Sequence, residues 1–500
     1  MTKTEHLYIG GRWVTPATTD TLSVISPHTE QLVTRVPAAA PADIDRAVAA
    51  ARAAFDHGPW PHTPPAERIA LIRRLAELYT AREDELATTI TTEMGAPITF
   101  ARSAHVKLPG VMMRAFADIA ERFPWRETRA GFLGGDVAVE HEPVGVVAAV
   151  IPWNMPTFLI VAKLIPALLA GCAIVVKPSP ETPLDALFMA ELLEQLDLPP
   201  GVVSILPGDR DTGQHLVAHP GVDKVSFTGS TAAGRQVAQV CGGALRRVSL
   251  ELGGKSAAVV LDDADPDDVA EGMLVAGLMN SGQACVAQTR VLLPRHRHDE
   301  FLDALVARIE KLTVGDPFDP ATRVGPMVSQ RQQQRVRGYI TQARDHGARL
   351  VLGGAELPET VERGWYIRPT VFADVEDSMP IAREEVFGPV LTVHTYTDDD
   401  HAVRIADATE YGLSGSVWTP DIDRGLAIAR HIRSGTLGIN QPYTMDPVAP
   451  FGGVKRSGIG REFGHEGLAG YLDTKSISIR QAPAAPHRVP AAADPEGNRS

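Results

Sequence analysis

Residues 158–176, FLIVAKLIPALLAGCAIVV, are apolar at every position except Lys163 and are long enough to span a bilayer. Such a run has two fates, a membrane helix or the interior of a covered sheet. Pro166 and Gly171 interrupt it, and the β-branched Ile174, Val175 and Val176 read as a strand that follows a short helix. The segment is therefore expected to be a buried helix–strand unit, because parallel strands covered on both faces carry continuous apolar runs. No membrane partner is expected.

The surroundings agree. From Pro143 onward, strand-like runs (VGVVAAVI, VVSIL, VDKVSF, VSLEL) alternate with helix-like ones, which predicts βαβ units and a mostly parallel sheet, an α/β fold. After Cys285 the alternation resumes through RVLLP, a helix near His298–Leu312, VLTVHTY and SGSVWT, giving a second α/β domain. Upstream, the first forty residues read as short strands with GGRW as a tight turn. Helices are expected from Asp43, from about Pro65 to Met94, and on to Phe123. Glycines and alternation over 126–142 suggest a β-ribbon. Its free edges point to pairing with another subunit, a plain surface hairpin being the alternative. The last strand is expected at 476–480, and the tail 481–500 lacks the apolar content to fold.

Composition narrows the partners. A formal charge of −13 over 500 residues, without a basic run, excludes a nucleic-acid footprint and leaves small molecules. Three scattered cysteines, Cys172, Cys241 and Cys285, make neither a disulfide framework nor a zinc site, so no metal is expected. With no apolar stretch behind the early charges, the N-terminus carries no secretory signal, and a cytoplasmic location is expected.

Two motifs carry chemistry, VSLELGGKS at 248–256 and NSGQACVAQT at 280–289. They pair a carboxylate, Glu251, with a thiol, Cys285, among small residues that let substrate and backbone approach. The thiol suits covalent catalysis and the carboxylate activation of water. A cysteine taken alone is more often a small buried hydrophobe. The strand ending at Ile151 runs into PWNMP, at the sheet edge where α/β folds bind ligands, and Asn154 there can donate to an oxyanion or simply shape a turn. Lys177 ends another strand and can meet ribose hydroxyls or phosphate. In VSFTGSTAAG, Gly229 permits a tight turn, and the N–H groups near Ser230 open a helix toward an anion. In AREEVFGPV, Glu385 can hold a ribose diol and Phe387 can press on an aromatic ring, with ion pairing and core packing as the ordinary alternatives.

Taken in order, PWN, KPS, FTGSTAAG, ELGGKS, GQAC, EEVFGPV and PFGGVKRSG resemble the NAD(P)-dependent aldehyde dehydrogenase superfamily, and the likeness runs from about residue 7 to 480. The resemblance implies that Cys285 attacks the aldehyde carbon, that Asn154 and the Cys285 N–H hold the oxyanion, and that Glu251 activates water against the thioester. It implies a cofactor site formed by Ile151, Pro152, Trp153, Lys177, Ser179, Gly229, Ser230, Leu252, Glu385 and Phe387. NAD is the implied cofactor, with NADP left open, because many NAD-preferring members carry a glutamate where this chain has Pro180. Glu181 can take that role if the loop shifts. Lys163 matches a further lysine near the family's site and is given no role. The implied layout is a Rossmann-like cofactor domain (1–125 and 143–251), a catalytic domain (252–449) and an oligomerisation element (126–142 and 470–480) of a homodimer or homotetramer. Glu251 argues against a CoA-acylating relative, and the nicotinamide motifs argue against a thiol esterase without redox chemistry. The segment QPYTMDPVA, with Met155 and Val286, suggests an apolar funnel without a cation, hence a hydrophobic aliphatic or aromatic aldehyde as substrate.

Overall fold

The structure, a computed structural model, describes residues 3–442 and 445–480. The tail 481–500 and part of the 441–449 segment lie outside the described residues.

The chain forms two compact units, one built from residues up to 123 together with 143–472, the other from 124–142 and the residues after 472. The first contains two large sheets. In one, five parallel strands lie in the order Arg247–Glu251, Lys224–Thr228, Val146–Val150, Ala173–Lys177 and Val203–Ile205, with antiparallel pieces at both edges. The chain starts at the central strand 146–150, winds outward to 203–205, then returns to the other side at 224–228. This doubly wound order creates a topological switch point between strands 146–150 and 224–228, beyond whose carboxyl ends ligands bind in such folds. The second sheet runs Arg349–Leu352, Thr370–Ala373, Val390–Tyr396, Arg290–Pro294, Ala257–Val260, Gly415–Trp418 and Gly438–Ile439, parallel except at its first strand.

The apolar run folds as expected, into a helix Pro156–Ala170 whose every residue is buried and a buried strand Ala173–Lys177. Gly171 turns between them at φ +93°, a conformation strained for any residue with a Cβ, which would also have to displace the Arg68 guanidinium 2.7 Å away. Among the described residues no helix is long and apolar enough to cross a membrane. Gly10 and Gly11, both at positive φ, make the expected turn between strands Leu7–Ile9 and Arg12–Val14.

The single helix expected from Pro65 to Met94 is instead two, Pro65–Thr80 and Glu83–Met94. Arg82 leaves the helical path at φ −125°, held by Glu85 and, at 3.0 Å, by Glu191, while Glu83, Asp84 and Glu85 supply the negative charge that favours a fresh helix start. The helical stretch before Phe123 is interrupted by a π-helical segment, Ala101–Lys107. Pro109 explains it. Proline has no N–H for the His105 carbonyl four residues back and its ring clashes there, and the chain answers with a five-residue spacing in which the Leu108 N–H reaches the Ser103 carbonyl.

In the second unit, strands Arg126–Ala130 and Asp136–Pro143 form the expected ribbon, and Leu472–Ile479, longer than the strand read at 476–480, completes a three-stranded sheet. Phe132 and Leu133 at the ribbon tip are fully exposed.

Candidate active site

The carboxyl ends of the two strands that flank the switch point open onto a cavity of about 450 Å³. Strand 146–150 delivers Pro152, Trp153, Asn154 and Met155 to its wall, and strand 224–228 delivers Thr228, Gly229 and Ser230. Ser230 caps the helix Thr231–Gly243, its Oγ accepting the Ala233 N–H at 3.3 Å, so the free N–H groups of the first turn face the cavity edge. Cys285 enters from the opposite side, on the loop between Met279–Gly282 and strand Arg290–Pro294.

That loop is held by backbone geometry of low intrinsic preference. Asn280, Ser281 and Gly282 lie consecutively in the left-handed region, at φ 53°, 57° and 73°. A Cβ at Gly282 would collide with the Gly388 carbonyl, and one at Gly254 would lie 2.6 Å from the Cys285 carbonyl. The strained run persists because its side chains are tied down. The Ser281 Oγ accepts the Gly325 N–H at 2.9 Å, and the Gln283 Oε1 accepts the Val328 N–H at 2.9 Å. The Asn280 amide donates to the Asn154 carbonyl at 2.8 Å and to the Gln283 carbonyl at 3.2 Å, while its Oδ1 meets the buried His105 ring at 3.3 Å. The Asn154 Nδ2 also donates to Gln283 O, at 3.2 Å, which fixes the amide and leaves its second N–H available. Gln283 itself is buried and structural, not a wall of the thiol pocket.

Cys285 is the partly exposed one of the three cysteines, and it faces the cavity. Burial among apolar walls pushes its thiol up to about 12, and the carboxylates of Glu385 and Glu251 add to the rise. Glu251 ends strand 247–251 and is buried. Neither carboxyl oxygen has a well-formed hydrogen-bond partner among the described residues, and a Cβ at Gly452 would lie 2.8 Å from Oε1. Burial and the neighbouring Glu462 carboxylate hold Glu251 well above the usual carboxylate range, partly opposed by Lys163. Lys163, buried midway along the apolar helix, donates to the Glu462 carboxylate, so the charge in the middle of the run is a paired one beside Glu251.

At the other end of the cavity the Gly254 N–H donates to the Glu385 Oε1 at 3.0 Å, and burial raises the Glu385 carboxyl to about 7. A Cβ at Gly253 would lie 2.5 Å from the same carboxylate, which would have to shift, while at Gly254 the obstacle is the Cys285 carbonyl. Phe387, at φ 62°, presents its ring edge-on to Trp153, centroids 5.3 Å apart, with its carbonyl held by the Gln332 amide at 2.7 Å. Leu252 lines the cavity and is anchored through its N–H to the Ser457 carbonyl at 2.8 Å.

The structure thus brings Asn154, Cys285, Pro152, Trp153, Gly229, Ser230, Leu252, Glu385 and Phe387 to one cavity. It does not bring Glu251, Ile151, Lys177 or Ser179 to that wall. Ile151 is buried with its N–H on the Lys177 carbonyl at 3.0 Å. Lys177 is buried at its strand end and lowered to about 8 by burial. The Ser179 hydroxyl donates at 2.5 Å to Glu181, which also pairs with Arg331 at 3.2 Å.

Sequence reasoning missed one side of the cavity, formed by Phe100, Ala104 and Leu108, by Phe158 and Leu159, and by Val275 and Met279. These are scattered apolar residues on or beside helices that no short motif announces; Ala104 and Leu108, four residues apart, share a helix face. It also missed the Asn280–His105 brace, for which the lone signal was an asparagine five residues before the thiol. Phe451 and Phe158, packed around the buried Phe463 at 5.9 and 5.6 Å, floor the cavity. Among the described residues, the ionisable groups on the wall are Cys285, Arg335 and Glu385.

Comparison with known proteins matches this architecture throughout. The model of the Aldehyde dehydrogenase family matches residues 13–477. Geranial dehydrogenase of Castellaniella defragrans is 46% identical over 95% of this chain and 98% of its own length, and putative aldehyde dehydrogenase DhaS of Bacillus subtilis is 39% identical over 95% and 96%. Among solved structures, a Mycobacterium tuberculosis aldehyde dehydrogenase complexed with NAD+ superposes with a TM-score of 0.94 at 47% identity, covering 96% of this chain and 99% of that one. A mutant aldehyde dehydrogenase C of Pseudomonas syringae, in complex with NAD+ and octanal, gives 0.92 at 41%, covering 95% and 97%. With the fold, the ordered motifs and whole-length relatives in agreement, the chain belongs to the aldehyde dehydrogenase family.

Proposed function

We propose that this enzyme oxidises an apolar aldehyde to its carboxylic acid with NAD, through a covalent adduct on Cys285. The observation that carries the reading is the cavity that joins a partly exposed thiol, an amide donor and the Glu385–Phe387 pair, its lining among the described residues otherwise uncharged except for Arg335.

The residues present fit a dinucleotide. The first turn of the helix from Thr231 offers N–H groups to a pyrophosphate, Glu385 accepts from ribose hydroxyls, and Phe387 and Trp153 offer aromatic surface for the nicotinamide. Lys177 and Ser179 are assigned to the adenosine ribose. Glu181, hydrogen-bonded to Ser179, puts a carboxylate at the strand end where Pro180 has none, which supports NAD over NADP. When bound, NAD supplies the two-electron oxidant.

The chain's own residues do the rest. The Cys285 sulfur adds to the aldehyde carbon, and the second Asn154 N–H with the Cys285 backbone N–H receives the charge that develops on oxygen. After oxidation the adduct is a thioester. Glu251, a stronger base than an ordinary carboxylate because burial raises its proton affinity, rotates from its place beside Gly452 and takes a proton from the attacking water. Lys163 and Glu462 tune that carboxyl from behind. The acid leaves and the thiol is restored.

Residues 1–125 with 143–251 are assigned to the cofactor and 252–449 to catalysis. The exposed Phe132 and Leu133 support the ribbon as a contact of a homodimer or homotetramer, and the enzyme is assigned to the cytoplasm.

The test is reduced-cofactor absorbance with octanal, citral and succinic semialdehyde, with NAD or NADP, for the wild type and Cys285→Ala. NADH formation with the apolar aldehydes, acid as product, and loss in the variant are expected. A kcat/KM for the charged semialdehyde equal to that for octanal would refute the apolar assignment.

A further inference from the structure

The cavity that holds Cys285 borders a second one, of about 200 Å³. Its inner wall is mostly apolar, with Leu274, Leu278, Leu312 and Val324 beside the buried Asn280 and Thr322, while its rim carries the exposed Thr99, Ser103 and Arg323. Phe100, Val275 and Met279 line both cavities and therefore form the partition between them. Two of the three are adaptable. Phe100 is half-buried, at the end of the short helical piece that precedes the π-helical segment, its ring meeting His105 edge-on at a centroid distance of 5.4 Å. Met279 is half-buried and carries an unbranched side chain that re-packs readily.

An aldehyde is fixed by its carbonyl carbon at Cys285, so a longer substrate extends away from the sulfur along the apolar side formed by Phe100, Leu108, Val275 and Met279. There it meets the partition. We propose that the second cavity seats the distal part of a long-chain alkyl aldehyde, and that Phe100 and Met279 set the chain length at which the tail crosses into it. The proposal rests on the aldehyde dehydrogenase reading above. Each methylene taken from water into such a wall improves binding about fourfold, so occupation of the second cavity is read out as a chain-length preference. The polar rim marks where the apolar tail ends and solvent begins.

The test is kcat/KM for hexanal, decanal and hexadecanal with the wild type, Phe100→Ala, which lowers the partition, and Leu312→Trp, which fills the second cavity from its far side. The expected result is a hexadecanal-to-hexanal ratio raised about tenfold in Phe100→Ala and lowered about tenfold in Leu312→Trp, the scale on which one or two methylenes discriminate. Hexanal turnover by Leu312→Trp, whose residue lines the second cavity and not the one that holds Cys285, reports that the fold and the chemistry are intact. Ratios unchanged in both variants while hexanal is still oxidised overturn the proposal and leave the dehydrogenase reading standing. No oxidation of any aldehyde by the wild type overturns that reading, and the proposal with it.

Discussion

In the cofactor-free enzyme the thiol of Cys285 should be a weak nucleophile at neutral pH. The rise from 9.0 to about 12 lowers its thiolate fraction about a thousandfold at pH 8. A more basic thiolate is also more reactive, by roughly sixteen- to thirtyfold over that interval for a Brønsted slope near 0.4–0.5, so the net deficit against an ordinary thiol is about thirty- to sixtyfold. The assay is the rate of reaction with 4,4′-dithiodipyridine across pH, with the labelled peptide identified by mass spectrometry, because the buried Cys172 and Cys241 are raised as well. The rate at Cys285 should climb about tenfold per pH unit through the alkaline range with no plateau near 9. Glu385→Gln removes the largest charge contribution and should speed labelling at fixed pH, while burial, the larger cause, keeps the variant slower than an ordinary thiol. A wild-type plateau at or below pH 9 would refute the burial argument.

Asn280→Asp replaces the amide that donates to the Asn154 and Gln283 carbonyls with a carboxylate that repels them, and should lower kcat by about a hundredfold, the cost of losing one oxyanion donor, while the added carboxylate slows thiol labelling. Steady-state kinetics beside the labelling assay separate the two. Lys163→Met leaves Glu462 buried without its partner and should cost about 3–5 kcal/mol of stability, measured by urea unfolding. Glu385 is raised from 4.5 to about 7, so its contribution to stability is complete below about pH 4.5 and is lost as pH rises through 7. Glu385→Gln should therefore gain on the wild type in melting temperature between pH 4.5 and 7 and hold a constant advantage above; an advantage that shrinks with pH would contradict the sign.

Much of this was legible in the sequence, and the reasons are local. The covered parallel strand after Gly171 announced itself by β-branched residues behind a turn, and the switch-point loops by Pro152 and Gly229 at strand ends. Cys285, Asn154, Glu385 and Phe387 were found because each sits in a short motif whose neighbours are small or turn-forming. The residues missed act across long stretches of chain. His105 and Asn280 are 175 residues apart and meet only after the two halves pack. Lys163 gained its meaning from Glu462, 299 residues away. The break near Arg82 was hidden because helix-forming residues continue across it, and only a tertiary partner, Glu191, holds the turn.

The π-helical segment at Ala101–Lys107 also bears on how this chain tolerates length changes. A π turn is a helix carrying one residue more than its hydrogen-bond pattern needs, and each residue of an α-helix turns the chain by about 100°. Everything before the segment is out of phase with everything after it by that angle. A one-residue deletion between 101 and 107, combined with Pro109→Ala, would let a regular helix re-form, leave Leu108–Arg122 on its present packing face, and swing Phe100 and Ala104 off the substrate wall. Length at this point thus acts as a rotary setting on the pocket, which variation in helix register could adjust without replacing a single side chain of the wall.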